Sequence, residues 1–422
     1  MKVHKFGGAS VKDAASIRRI PNLIQDCGND RLFIVISAMG KTTNKLETIV
    51  NKAFATENYD EEFESLYNEH LNILKDLLPD NTLVISCLTE LFAKCKDKIH
   101  TTAKEDYNFF YDQIVSCGEL FSSLIVSQYL KNLSFDIQLI DAADIFISDD
   151  NWRAGNIDKA ATKQNITNIC NNNDNKILIT QGFIAGDNNG NYVTLGREGS
   201  DYSAGILAAL SNADELTFWK DVEGIYNADP KNFPNAIKID KISYDEMIEL
   251  SYFGAKVLHE KTLHSLRGKS TTLQIRSFLK PETQGTFLYN YTNCIYPPII
   301  IVLKNQILFT VEPKTKSLID IEHINRIYDS TKHCNININL IQISAIKISF
   351  CATYDEFACK GLISLLEDFF EVKYNTNVSL ETIRHYKKEK LKTFIKEKDI
   401  LLTQISRRVA QFVIKEDNSS IK

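Results

Sequence analysis

Two rhythms of apolar positions alternate along the first half of the chain. Uninterrupted apolar runs such as Leu32-Phe33-Ile34-Val35-Ile36 predict strands covered on both faces, as in a parallel sheet. Between such runs, Ala14, Ala15, Ile17, Ile20, Leu23 and Ile24 recur at helical spacing. Val3 to Phe6, Phe135 to Ile140, Lys176 to Thr180 and Glu215 to Trp219 predict further strands, and residues 41 to 132 read as several helices. This alternation predicts an α/β fold, an αβα sandwich around a mostly parallel sheet. Asn188-Asn189-Gly190-Asn191 predicts a hairpin turn, and Asn171 to Asn175 a polar connector.

The punctuation changes near Pro281 to Gly285 and again at Pro297-Pro298, which places a domain boundary around residue 294. The expected division is 1–293 and 294–422. Beyond it, Ile307 to Val311 reads as a strand, Ile319 to Thr331 as a helix, Ile336 to Ile348 as strands and Phe357 to Phe370 as a helix. This βαββα order predicts a small ferredoxin-like α+β module. The basic stretch Arg384 to Lys398, interleaved with Glu389, Glu397 and Asp399, is expected to be a solvated hairpin or loop.

Composition narrows the function classes. With 422 residues the chain exceeds what one compact core usually holds. A net charge of -5 gives no general attraction to nucleic acid or anionic membrane. No stretch reaches the roughly 18–20 apolar residues that span a bilayer. The opening Met1 to Phe6 enters a strand at once, so no secretory leader is expected. Nine cysteines without CxxC spacing predict reduced, mostly buried thiols in a cytoplasmic protein, with neither a disulfide framework nor a zinc site.

Four segments carry candidate chemistry. In Lys5-Phe6-Gly7-Gly8-Ala9-Ser10 a glycine pair follows a strand, which suits a tight structural turn or a cradle of N–H groups around a phosphate. There Lys5 would add a full positive charge, and the helix expected next a favourable dipole. No GxxxxGK[ST] loop occurs. In Thr194-Leu195-Gly196-Arg197-Glu198-Gly199-Ser200-Asp201, Ser200 or Asp201 suits a helix cap, whereas the planar fork of Arg197 suits a carboxylate. The turn-rich stretch Trp219 to Lys231 follows a strand, where ligands commonly bind. Phe253 to His259 offers another lysine, Lys256, and His259 belongs to no triad or metal-ligand spacing.

Taken together these segments resemble the aspartokinases. Lys5 to Ser10 is similar to their Lys-Phe-Gly-Gly-Thr-Ser opening, Ser116-Cys117-Gly118-Glu119 to their Gly-Glu helix motif, and Gln181-Gly182-Phe183 to their Gln-Gly-Phe strand end. The other three segments match in order, over residues 1 to about 280. The resemblance implies the amino-acid kinase fold followed by ACT-type modules, and transfer of the γ-phosphoryl of ATP, carried with Mg²⁺, to L-aspartate. It implies Lys5 and Asp201 as catalytic, and Thr43, Glu119, Arg197 and Ser200 as substrate-binding. Lys5, Gly7, Gly8, Ser10, Lys220, Asp221, Tyr226, Lys231, Lys256 and Val257 fall on nucleotide-binding positions. A homodimer through the ACT-like region is implied too. The alternatives are a related kinase for another acid and a catalytically silent amino-acid sensor. A fusion to homoserine dehydrogenase is not expected, because no GxGxxG segment follows the ACT-like region.

Three positions depart from the pattern: Ala9 replaces the usual threonine, Glu198 stands where glycine is common, and Lys231 where arginine is common. Lower affinity for ATP follows from these, not lost activity. The C-terminal region is expected to hold one ACT-like module and a remodelled remainder. Its turn Pro313 to Ser317 lacks the glycine that lets backbone approach an amino-acid ligand. Feedback inhibition should accordingly be weak: calorimetry with lysine and with threonine is expected to show no micromolar binding of either, and such binding would overturn the expectation.

Overall fold

The computed structural model describes residues 1–25, 30–255, 257–290 and 295–416. They form two compact units.

The first unit holds Met1–Ile225, Lys238–Ser251 and Lys256–Cys294. Its centre is an eight-stranded sheet whose strands begin, in order across it, at Lys241, Thr286, Thr272, Glu215, Lys2, Leu32, Ile177 and Ile137. Lys2–Phe6 lies in the middle, parallel to Leu32–Ile36 on one side and Glu215–Lys220 on the other. Only Thr272–Ser277 and Thr286–Tyr289 pair antiparallel within this sheet. Every residue of Leu32–Ile36 is buried, as its unbroken apolar run predicts. In register, Phe6 lies beside Ile36 and Trp219, and Ile36 beside Gln181. The strands therefore end together, and the segments after Phe6, Ile36, Gln181 and Trp219 gather at one carboxyl edge, where open α/β sheets bind ligands.

Helices Thr42–Phe54, Asp60–Leu77, Thr82–Thr101, Tyr107–Val115 and Cys117–Asn132 share one large core with the sheet. Inside it Phe92 stacks on Phe121 with ring centroids 3.8 Å apart. Helix Gly199–Leu210 packs closely on Glu260–Leu266, since a Cβ on Gly205 would sit 2.8 Å from Ser265 Oγ. The predicted hairpin is present, with Ile184–Gly186 pairing antiparallel to Tyr192–Thr194.

The second unit is discontinuous, unlike the contiguous division expected from sequence: Tyr226–Ile237 and Tyr252–Ala255 group with the chain from Ile295 onward. Local bonds explain the first segment, since Ile300 N–H donates to Asn227 O at 2.7 Å and Asn227 Nδ2 to Pro298 O at 2.9 Å. The second is tied by packing, with the Arg384 guanidinium 5.5 Å from the Phe253 ring centre. The unit's six-stranded antiparallel sheet has strands beginning, in order, at Ile338, Ile348, Ile299, Phe370, Val409 and Ile400.

Two strands of 15 residues, Ile299–Pro313 and Phe370–Arg384, pair along their length. Their register shifts between Leu303 and Leu308, around Asn305 at φ 56°. One half of each strand, with helices Ile321–His333 and Glu356–Glu367 and strands Ile338–Ile343 and Ile348–Thr353, completes a βαββαβ module. The other halves join Ile400–Ile405, Val409–Lys415 and a single helix, Lys388–Phe394. That helix corrects the expected solvated loop: Leu391, Phe394 and Ile395 pack against a core of Ile383, Ala410, Phe412 and Ile414. The surrounding charges obscure this apolar stripe at positions i, i+3 and i+4. In the turn Pro313–Ser317, Lys316 takes the left-handed conformation (φ 56°) that a glycine would take without strain.

Candidate active site

A cleft of ≈ 650 Å³ opens in the first unit, lined by the segments that follow the aligned strands. The sheet delivers Lys5 to its floor, where the residue is 6% exposed. Gly8 is required by close approach, and Gly7 leaves room for the Lys5 ammonium. A Cβ on Gly7 would lie 3.3 Å from Lys5 Nζ, and one on Gly8 only 2.9 Å from Ala38 O. The glycine pair leads into a four-residue 3₁₀ turn, Gly8–Val11, rather than directly into the expected α-helix. Ser10 turns its hydroxyl to the Trp219 carbonyl at 3.0 Å, tying this turn to the neighbouring strand.

Asp201, in the first turn of helix Gly199–Leu210, is buried between two lysines. Lys5 Nζ stands 2.5 Å from its Oδ1 and Lys220 Nζ 2.8 Å from its Oδ2. Lys220 also donates to the Val257 carbonyl at 3.0 Å. Burial alone would raise the Asp201 pKa, but the two ammonium charges outweigh it and hold the carboxyl down at about 2. One carboxylate shared by two cations leaves a net positive charge. Burial lowers the Lys5 pKa, and the neighbouring Lys220 charge lowers it further. Such a centre gains from an incoming polyanion.

Glu119, from the first turn of helix Cys117–Asn132, enters the same cleft. Its Oε1 accepts from Ala38 N–H at 3.4 Å, while its Oε2 is buried with no hydrogen-bond partner. Burial pushes this carboxyl up to about 8. An unpartnered acid of this kind suits a cationic ligand group, which would restore the charged form. Thr43, Arg197, Ser200 and Asp221 also line the cleft, with Arg197 exposed to it. Glu198 lines it too, at φ 52°, a conformation glycine adopts more easily, and its Oε2 is buried without a partner.

Of the residues singled out from sequence, Lys5, Gly7, Gly8, Ser10, Thr43, Glu119, Arg197, Ser200, Asp201, Lys220 and Asp221 thus converge on one cleft, with Val257 bonded to Lys220. Lys256 lies outside the described residues. Tyr226 and Lys231 fall on the segment that groups with the second unit. Lys231 is exposed, its N–H donating to Asp229 Oδ1 at 2.9 Å. Sequence reasoning missed Glu47, Tyr111, Arg153 and Phe183 as cleft residues. Phe183 closes the Gln-Gly-Phe motif, whereas Arg153 has no local signature. Arg153 and Phe183 both have positive φ, 67° and 69°, and such strain gathers at functional sites.

Residues 1–277 match the model of the amino acid kinase family, and the chain belongs to that family. Within it, the likeness is to aspartokinases. The chain is 30% identical over 420 residues to the bifunctional aspartokinase/homoserine dehydrogenase of Buchnera aphidicola, a match covering 93% of this chain and 51% of that protein, so it spans about half of that relative's length. It is 30% identical over 351 residues to lysine-sensitive aspartokinase 3 of Escherichia coli, covering 82% of this chain and 77% of that enzyme. The structure of E. coli aspartokinase III with lysine and aspartate superposes with a TM-score of 0.83 at 26% identity, over 98% of this chain and 96% of that one. The same enzyme with aspartate and ADP gives 0.81 at 25% identity, with the same coverage of both chains.

The raised Glu119 carboxyl makes a signed prediction. Its folded pKa of about 8 exceeds its ordinary value of 4.5, so the stability it contributes is fully present below 4.5 and is lost as pH rises through 8. Glu119→Gln has no such dependence. Urea unfolding at pH 6 and pH 9 should show the variant gaining on wild type at the higher pH, by a few kcal/mol at most. A difference independent of pH would contradict the assignment.

Proposed function

We propose that this protein is an aspartate kinase, transferring the γ-phosphoryl of Mg-ATP to the β-carboxylate of L-aspartate to give 4-phospho-L-aspartate and ADP. This is the first step toward lysine, threonine and methionine, and we place it in the cytoplasm. No helix among the described residues is long and apolar enough to cross a membrane. The observation that carries the reading is the Lys5–Asp201–Lys220 centre in one cleft with Arg197 and with Glu119, whose Oε2 has no hydrogen-bond partner.

Each part has a chemical task. The β-carboxylate is already ionised at neutral pH, so its oxygen attacks the γ-phosphorus without a general base. The bond from that phosphorus to the bridging oxygen breaks, and its electron pair leaves on ADP. Charge spreads over the transferring group's oxygens, which the Lys5 and Lys220 ammonium groups stabilise. Asp201 holds both lysines in place. Glu119 receives the substrate's ammonium and Arg197 its α-carboxylate, which sets the distance from the α-carbon to the reacting oxygen. Magnesium enters as part of the nucleotide substrate, bound to phosphate oxygens.

We also propose a homodimer through the second unit, which exposes Leu318, Ile321 and Phe357 at 68%, 66% and 89%. Light scattering should give twice the chain mass, and a monomeric mass at micromolar concentration would refute it. For the reaction, a coupled ADP-release assay with Mg-ATP should show turnover with L-aspartate and little with glutamate. Lys5→Ala should lower kcat by roughly 10²–10³-fold, the loss expected for one preorganised electrostatic donor. Folded wild type that turns over neither acid would leave the protein a silent sensor.

A further inference from the structure

One end of the cleft has no task in the mechanism above. It is built from Glu47, Tyr111 and Arg153. Tyr111 is 6% exposed and its hydroxyl donates to Glu47 Oε1 at 2.6 Å, so its ring is fixed. The Arg153 guanidinium lies over that ring, 4.4 Å from its centre, and 5.7 Å from the centre of Tyr107. Its Nη1 donates to Asn108 Oδ1 at 3.4 Å, and no carboxylate of the described residues stands at ion-pair distance from it.

The backbone under Arg153 is held with equal care. The residue sits at φ 67°, a conformation unfavourable for a side-chain-bearing residue. An exposed cation over an aromatic ring is a weak contact, which does not by itself account for keeping arginine there. The conformation is fixed by the fully buried Asp112. Its Oδ2 accepts from Arg153 N–H at 2.9 Å and from Thr194 N–H at 2.8 Å, and its Oδ1 accepts from the Thr194 hydroxyl at 2.6 Å. Gly155 N–H adds a bond to Thr194 O at 3.0 Å, and a Cβ on Gly196 would sit 3.0 Å from the Arg153 carbonyl oxygen. The segment bearing Arg153 is thus riveted to the segment bearing Arg197.

We propose that Arg153 is a second guanidinium for the substrate's α-carboxylate, acting beside Arg197 and setting affinity for the amino-acid substrate. The inference rests on the aspartate reading above. Two arginines on tied segments, neither at ion-pair distance from a carboxylate among the described residues, set two guanidinium groups against the one carboxylate of Glu47, which already accepts from the Tyr111 hydroxyl. The phosphoryl end is already marked by Lys5 and Lys220. The anion left for the arginine end is the α-carboxylate, and planar guanidinium groups bind carboxylates in two-pronged fashion.

The test is calorimetric titration of L-aspartate and of its α-amide, which lacks only the α-carboxylate charge, into wild type, Arg153→Gly and Arg153→Lys. Glycine takes φ 67° without strain, so the first variant should keep its fold, with an undiminished melting temperature. Arg153→Gly should bind aspartate roughly tenfold or more weakly, with unchanged affinity for the α-amide and for ADP, and lysine should restore only part of the loss. In turnover the loss should fall on KM for aspartate and not on KM for ATP. Unchanged aspartate affinity in Arg153→Gly overturns the role alone, as does an equal loss for aspartate and α-amide. Wild type that binds ADP but no aspartate overturns the substrate assignment and this role with it.

Discussion

The Asp201 carboxylate lies between the ammonium groups of Lys5 and Lys220, at 2.5 and 2.8 Å, and this three-charge contact organises the first unit's chemistry. An isolated buried lysine tends to lose its proton, and an isolated buried aspartate to gain one. Together the two lysines keep Asp201 ionised, and its charge opposes the loss of the Lys5 proton that burial favours. The contact also needs three elements to arrive in register: the middle strand for Lys5, its parallel neighbour for Lys220, and the helix beginning at Gly199 for Asp201. Gly182 is part of that fit, since a Cβ there would come 2.6 Å from Ser200 Cβ and push the helix away.

Two acids of the cleft and one bonded behind its wall are sorted by environment. Asp201 is held near 2 by its lysines, whereas burial raises Asp112 to about 6 and Glu119 to about 8. Asp112 is less perturbed than Glu119 because hydrogen bonds from Thr194 and Arg153 compensate part of its burial. Glu119 has only one long bond, from Ala38. Three carboxyl groups on one scaffold thus serve as a permanent anion, a structural rivet and a titratable receptor. Their roles follow from the number and the charge of the donors around each.

Much of the first unit was legible in the sequence because local and global signals agree there. Leu32 to Ile36 reads as a doubly covered strand and is one, and Lys5 to Ser10 carries both the turn chemistry and the charge. The long strands of the second unit were not legible. Lys304-Asn305-Gln306 interrupts the apolar pattern midway through Ile299–Pro313, so the segment reads as ending where it only shifts register. The helix Lys388–Phe394 was hidden by its charges. Arg153 was illegible for a different reason: its conformation depends on a carboxylate 41 residues earlier, and no local rule predicts a left-handed arginine.

The two 15-residue strands shared by both halves of the second unit have a consequence for how the chain is made. The strand that begins at Ile299 finds its long partner only when Phe370 to Arg384 has been synthesised. Only the βαββαβ module is a contiguous stretch: it is an insertion that interrupts the other half, bounded by the crossing near Asn305 and Val378. During synthesis the inserted module gains its last strand first, and the outer sheet closes only after Val409–Lys415 emerges. Pairings of such sequence separation form slowly. Until then Ile299 to Leu303 is an unpaired apolar edge on the nascent chain, which makes this strand the point at which a chaperone has most to protect.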